Sequence, residues 1–190
     1  MRISGGEWRG RRLAVPEDGT VRPTQDRVRE ALFSMLAQVV PGARFLDLFA
    51  GSGGVGLEAL SRGAAECTFV DSAPKHLSVL RANAASLGAE SRCRLVCADA
   101  FKWLETPPQE KFDVVFADPP YREGGGDTVE RMLSLLAQGM MSGKGVFAAE
   151  APVGARPPEM PGWRLCRDRE YGQTRLAVYQ LLGDEGGSAP

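Results

Sequence analysis

The chain has 190 residues and a mass of 20.4 kDa, with 43% hydrophobic and 25% charged residues. That size suits one ordinary domain that buries about 70% of its unfolded surface, and the balance excludes wholesale disorder. A net charge of -1 and a pI near 5.9 exclude the uniformly basic footprint of many nucleic-acid binders, so any such role must rest on local patches.

The start, Met1-Arg2-Ile3-Ser4-Gly5-Gly6, lacks the apolar core of a secretion signal, and no apolar run approaches the ~20 residues of a membrane span. The expectation is a cytoplasmic protein. Residues 1–23 read as an arginine-rich extension. Arg2, Arg9, Arg11, Arg12 and Arg22, with Arg27 and Arg29 just beyond, stand against Glu7, Glu17, Asp18, Asp26 and Glu30, without a lysine. Arginine makes planar, bidentate contacts to phosphate, so Arg9, Arg11, Arg12, Arg22, Arg27 and Arg29 are candidate RNA contacts. A solvated charged hairpin is the plainer reading of the same residues.

The main domain is expected over 24–182. Thr24, after Pro23, caps a helix whose apolar positions Val28, Ala31, Leu32, Met35, Leu36 and Val39 repeat at helical spacing until Pro41-Gly42. A buried strand over Arg44 to Phe49 runs into a glycine-rich turn. A helix from Gly54 to Arg62, a strand over Glu66 to Asp71 and a helix carrying Leu77, Leu80, Ala84 and Leu87 follow, each helix stopped by a glycine. Next come a strand from Cys93 to Cys97, a short helix over Phe101 to Leu104 broken by Pro107-Pro108, and a strand over Phe112 to Ala117. Val129 to Leu136 reads as a helix and Gly145 to Ala149 as a strand. After a proline-rich stretch from Pro152 to Pro161, Trp163 to Arg167 and Gln173 to Leu181 form a closing hairpin, and the tail 183–190 frays. Strand-helix alternation with short connectors predicts an α/β fold: an open, mostly parallel sheet with helices on both faces and one antiparallel strand.

The 4 cysteines, Cys67, Cys93, Cys97 and Cys166, show no paired spacing and are expected as buried free thiols. His76 is the single histidine, so neither a zinc site nor a histidine-activated nucleophile is expected; it reads as a surface helix residue.

Gly51-Ser52-Gly53-Gly54-Val55-Gly56 is a GxGxxG turn between a strand and a helix, and Asp71 ends the next strand about 20 residues on, where an acid meets a ribose diol. A nicotinamide dinucleotide and S-adenosylmethionine share this layout. The dinucleotide brings a pyrophosphate; S-adenosylmethionine brings an ammonium that Asp47 would welcome, while Asp99 would hold the adenine amine. Acids at successive strand ends, Asp47, Asp71, Asp99 and Asp118, suit the cationic ligand better, although each singly also reads as a cap or turn residue. Phe49, Gly51, Gly53 and Ala100 complete the candidate cofactor contacts.

Asp118-Pro119-Pro120-Tyr121 ends its strand with a carboxylate, a free carbonyl and an aromatic ring on a stiff backbone. Such a cluster accepts two hydrogen bonds from an exocyclic amine while the ring stacks on the base that carries it. Asp118, Pro119 and Tyr121 are therefore the candidate catalytic residues, with a proline-stiffened loop as the plain alternative.

Together, Leu46-Asp47-Leu48-Phe49-Ala50-Gly51-Ser52-Gly53 and Asp118-Pro119-Pro120-Tyr121 resemble the amino-methyltransferases of the class I S-adenosylmethionine fold. Gly5-Gly6-Glu7-Trp8-Arg9-Gly10-Arg11, Arg22-Pro23-Thr24, Asp26-Arg27-Val28-Arg29-Glu30-Ala31-Leu32-Phe33 and Gly56-Leu57-Glu58-Ala59-Leu60-Ser61-Arg62-Gly63 narrow the likeness to the bacterial 16S ribosomal RNA guanine-N2 methyltransferases. The resemblance runs from Arg2 to about Leu182. It implies a Rossmann-like, seven-stranded sheet, S-adenosylmethionine as cofactor and methyl transfer to the N2 of one guanine of 16S rRNA, naked or in the small subunit. It further implies a monomer without metal, in which Asp118 and the Pro119 carbonyl hold the amine and Tyr121 stacks on the base. The alternatives are methyl transfer to another base (adenine N6 in DNA or a guanine of 23S rRNA), a nicotinamide-dependent oxidoreductase, and a non-catalytic RNA-binding module.

Overall fold

The computed structural model describes residues 1–15, 24–106, 110–120 and 126–183. The helices are α1 (Thr24–Met35), α2 (Gly54–Ser61), α3 (Pro74–Leu87), α4 (Ala100–Leu104) and α5 (Gly126–Ala137). The strands are β1 (Arg44–Leu48), β2 (Glu66–Asp71), β3 (Cys93–Cys97), β4 (Phe112–Ala117), β5 (Met141–Pro152), β6 (Trp163–Tyr171) and β7 (Thr174–Leu181). They form a 7-stranded sheet in the order β3-β2-β1-β4-β5-β7-β6. Strands β3 through β5 are parallel; β7 runs antiparallel to both β5 and β6. The chain order reverses between β1 and β4, which opens a crevice at the carboxyl ends of those strands.

Alternate residues of the central strands enter two cores. Phe45, Phe69, Val114 and Phe116 face Val28, Leu32, Leu57, Leu60 and Leu80 of α1, α2 and α3. Leu46, Leu48, Val115 and Ala117 face Leu104, Met132, Leu133 and Leu136 of α4 and α5. A strand covered on both faces has no polar face, which is why β1 and β4 are nearly continuous apolar runs.

Several elements differ from the sequence expectation at their ends. Helix α1 stops at Met35 and gives way to a turn, although Val40 N–H still donates to the Leu36 carbonyl at 3.1 Å. Strand β5 starts earlier than the Gly145–Ala149 core because Met141 pairs with Phe112 of β4, and ends later because β7 pairs with it as far as Pro152↔Thr174, beyond its last β4 pair, Ala117↔Ala149. Pro23 and Pro107-Pro108, and the tail from 184 onward, lie outside the described residues. The cysteines are free, but only Cys67 is buried: Cys97 is exposed and Cys93 half-buried because β3 is a sheet edge, and Cys166 is half-buried on β6, the opposite edge.

The first residues fold onto α1 and α2. Ile3, Trp8 and Leu13 are buried, and Arg2 bridges Arg12. Their anchor is Glu58 on α2, which is fully buried and accepts hydrogen bonds from Ser4, from Arg29 Nε at 2.8 Å and from Arg62 Nη2 at 2.7 Å. Arg29 also donates to the Arg2 carbonyl and pairs with Asp26 at 3.0 Å. With only 4% exposure, Arg29 is a structural cation and not the RNA contact expected from sequence; its helical position points it at the one buried acid it can neutralise.

Burial alone would raise the Glu58 carboxyl, but the hydrogen bonds from Ser4 and Arg62 and the charge of Arg29 hold it below its ordinary value of 4.5. Its contribution is therefore present above about pH 4.5 and lost as the pH falls below it. Glu58→Ala leaves Arg29 buried without its main partner and should cost about 3–5 kcal/mol in urea unfolding at pH 7. The gap between the variant and the parent should narrow as unfolding is repeated toward pH 3.

Candidate active site

A cavity of about 480 Å³ opens at the carboxyl ends of the central strands. Its walls include Asp47 from β1, Asp71 from β2, Phe116, Asp118 and Pro119 at the end of β4, and Glu150 from β5. The turn after β1 supplies Phe49, Ala50, Gly51, Ser52 and Gly54, and α1 contributes Val28, Arg29 and Leu32.

Backbone N–H groups hold the acids in place. Asp47 Oδ2 accepts Gly56 N–H at 2.8 Å. Asp71 Oδ2 accepts Gly51 N–H and Oδ1 accepts Ala73 N–H, both at 2.8 Å, and His76 Nδ1 stands 3.2 Å from Oδ1. The turn needs its glycines for two different reasons. Gly51 sits at φ 53, which side chains rarely adopt, although a Cβ there would meet open space. At Gly56 the obstacle is contact, since a Cβ would lie 2.3 Å from Phe69 Cε1 and 2.6 Å from Cys67 Sγ. Phe49 takes φ 60 without being glycine, a strained position steadied by its edge-on contact with Phe101 at 6.1 Å.

Electrostatics sets this site apart from the rest of the protein. Burial pushes the Asp47 carboxyl up to about 7; the Gly56 hydrogen bond pulls the other way, and the charges of Asp71 and Asp118 add to the rise. Burial raises Asp118 as well, even though its side chain opens onto the cavity. Glu150 is raised by burial and then by the charge of Asp118, against a hydrogen bond from Thr174 Oγ1 at 3.1 Å. Glu150 is therefore harder to ionise while Asp118 is charged.

The structure thus brings together Asp47, Phe49, Gly51, Asp71, Asp118 and Pro119 around one chamber. Gly53 stands behind it as the residue that caps α2, at φ 83. Asp99 and Ala100 do not line the chamber: exposed Asp99 caps α4 by accepting Lys102 N–H at 2.9 Å, and Ala100 is buried in the core beneath. Tyr121 and Arg22 lie outside the described residues. Arg9, Arg11, Arg12 and Arg27 are exposed, with Arg11 reaching the Ser86 carbonyl.

Two residues were missed from sequence. His76 is not a plain surface residue, because the first turn of α3 points it into the cavity beside Asp71. Glu150 follows the expected strand by one residue and belongs to the same series of strand-end acids; extending that series to β5 would have found it. Among the described residues no group of three or more His, Cys, Asp or Glu gathers to hold a metal, and no helix is long and apolar enough to cross a membrane.

A parallel sheet that reverses order beside a glycine turn, with strand-end acids and Asp-Pro-Pro after β4, defines a class I methyltransferase. Residues 1–180 match the family described as Conserved hypothetical protein 95. The chain is 40% identical over 185 residues to ribosomal RNA small subunit methyltransferase D of Escherichia coli (strain K12), covering 95% of this chain and 89% of that protein. To the protein of the same name from Haemophilus influenzae it is 33% identical over 183 residues, covering 95% and 93%. The solved structure of the Escherichia coli protein yhhF matches at 37% identity with a TM-score of 0.84, over 96% of this chain and 98% of that one. The chain belongs to the ribosomal RNA small subunit methyltransferase D family.

A carboxyl whose folded value lies above its ordinary 3.8 stabilises the fold at low pH, and that contribution is lost as the pH rises toward about 7. Asp47→Asn should therefore flatten part of the decline in unfolding free energy between about pH 4 and 7. Carbon-13 NMR of aspartate carboxyls should show a resonance titrating near neutrality that disappears in this variant.

Proposed function

We propose that this protein transfers a methyl group from S-adenosylmethionine to the exocyclic N2 of a guanine in 16S rRNA. The observation that carries the reading is that Asp118 and Pro119, the candidate amine-gripping pair, face the same 480 Å³ chamber as Asp47, Asp71 and the glycine turn. The donor set fits a cationic ligand. Asp47 suits the ammonium, Asp71 the ribose diol, and Asp99 with Ala100 remain the candidates for the adenine edge. A pyrophosphate would meet Asp47, Asp118 and Glu150 in this chamber, which disfavours a dinucleotide.

When bound, S-adenosylmethionine supplies a methyl group on a positively charged sulfur. The residues of the chain do the rest by geometry. The N2 lone pair of guanine is delocalised into its ring, so the amine must be turned until that lone pair faces the methyl carbon. Asp118 and the Pro119 carbonyl accept the two N–H groups in that orientation. A carboxyl raised by burial then takes the proton that the amine loses as the new N–C bond forms. Tyr121 is the candidate to stack on the displaced base, whose extrusion costs a few kcal/mol and least from an unpaired loop. The exposed arginines Arg9, Arg11, Arg12 and Arg27, with Arg22, grip the RNA backbone. The protein works as a cytoplasmic monomer on the small subunit or an assembly intermediate.

Asp118→Ala should reduce methyl transfer by about a thousandfold or more while leaving cofactor affinity within a few-fold. Tritium-labelled cofactor on small subunits from a strain lacking the enzyme measures the first, calorimetry the second; unchanged transfer would refute the role. Arg9→Ala with Arg12→Ala should weaken RNA binding evenly across sequences and reduce the salt dependence of affinity by about two ions. Filter binding over a salt series measures that slope.

A further inference from the structure

We propose that Glu150 reads the base: it accepts a hydrogen bond from the ring N–H beside the amine held by Asp118 and Pro119, and thereby selects guanine. The inference rests on the methyl-transfer reading above. Its basis is placement. Strand β5 lies beside β4 with Ala149 opposite Ala117, so Glu150 on β5 stands next to Asp118, the residue just past the end of β4, about 5 Å away across the sheet. Both line the chamber. Glu150 is also held from behind, since Thr174 on β7 donates to its Oε1 at 3.1 Å and fixes which way the carboxyl turns.

The two positions match one base edge better than any other. Guanine presents N1–H directly beside N2–H2, two donors side by side. Adenine and cytosine present their amines beside a ring nitrogen that is itself an acceptor. An ionised carboxylate only accepts, so Glu150 against such a nitrogen would set lone pair against lone pair in a desolvated place. Guanine instead offers a donor to each acid. The raised carboxyls of Asp118 and Glu150 agree with this, because an added donor lowers the cost of ionising either one.

The test compares guanine with 2-aminopurine, which keeps the 2-amine but carries an acceptor at N1. Small subunits are reconstituted with 16S rRNA bearing either base at the mapped methylation site, and initial rates are measured with tritium-labelled S-adenosylmethionine. Wild-type protein should prefer guanine by about a hundredfold or more, as expected of a site built around an N–H that the analogue lacks. Glu150→Gln, whose amide both donates and accepts, should be roughly tenfold slower on guanine and should narrow the preference by roughly tenfold. Glu150→Asp should be slower but keep the preference. Comparing the preference between proteins cancels the different intrinsic reactivity of the two amines. Cofactor affinity in calorimetry should stay within about threefold in both variants, which shows that the fold and donor half are intact.

An unchanged preference in Glu150→Gln, or a wild-type protein equally active on both bases, would overturn the role of Glu150 and leave the methyltransferase reading standing. Loss of cofactor binding in both variants would place Glu150 in the donor half and overturn it too. A wild-type protein inactive on guanine-bearing subunits would instead remove the substrate reading, and this inference with it.

Discussion

Everything at the centre of this protein depends on crowding carboxylates at the ends of adjacent parallel strands. The order β2-β1-β4-β5 gathers Asp71, Asp47, Asp118 and Glu150 at one end of the sheet, where the charges of Asp71 and Asp118 make Asp47 harder to ionise and that of Asp118 does the same to Glu150. Burial of Asp47 makes that cost steep. The fold offsets part of it with backbone N–H groups, from Gly56 to Asp47 and from Gly51 and Ala73 to Asp71. Those amides reach the acids only because the turn after β1 is tight and α2 lies close on β2, which accounts for the glycines at 51 and 56. A ligand that brings positive charge and hydrogen-bond donors relieves the remainder, so the strain of the free protein and the chemistry of its ligands have one origin.

The buried Glu58 cluster serves this arrangement from outside. It ties the first residues and α1 to α2, the helix whose first turn supplies Gly56 N–H. The arm is therefore part of the frame that positions the acids, as well as a carrier of exposed arginines. That division is sharp: Arg29 holds the frame, while Arg9, Arg12 and Arg27 face solvent.

The alternation of apolar runs and glycine stops was legible in the sequence because doubly covered strands and amphipathic helices leave strong periodic traces. That Asp47, the GxGxxG turn and Asp71 come together was legible as well, since local geometry binds them. What escaped was set by tertiary placement. Arg29 reads as one more arginine in a basic segment until α2 brings Glu58 against it. His76 reads as an exposed helix residue until the loop before α3 turns it toward Asp71. Glu150 reads as the residue after a strand, because nothing local reveals that β7 prolongs β5 and carries the strand past the end of β4. In Asp99 the plain reading is met by one oxygen, which caps α4, and the other oxygen is the part of the cofactor expectation that stays a proposal.

The two halves of the chamber differ in what completes them. In the donor half, Asp47 and Asp71 accept backbone N–H groups that are present whatever is bound, so their geometry is fixed in advance. In the acceptor half the fixed elements are the Pro119-Pro120 backbone and the Thr174 hydrogen bond to Glu150, while the raised carboxyls favour a partner that donates. Under the role proposed for Glu150, a base with adjacent donors favours ionisation of both acids, and ionised Asp118 is the form that would accept a proton from the amine. On the proposed reading, recognition and proton removal are linked: the base that satisfies the pair also leaves Asp118 unprotonated and so able to take the proton.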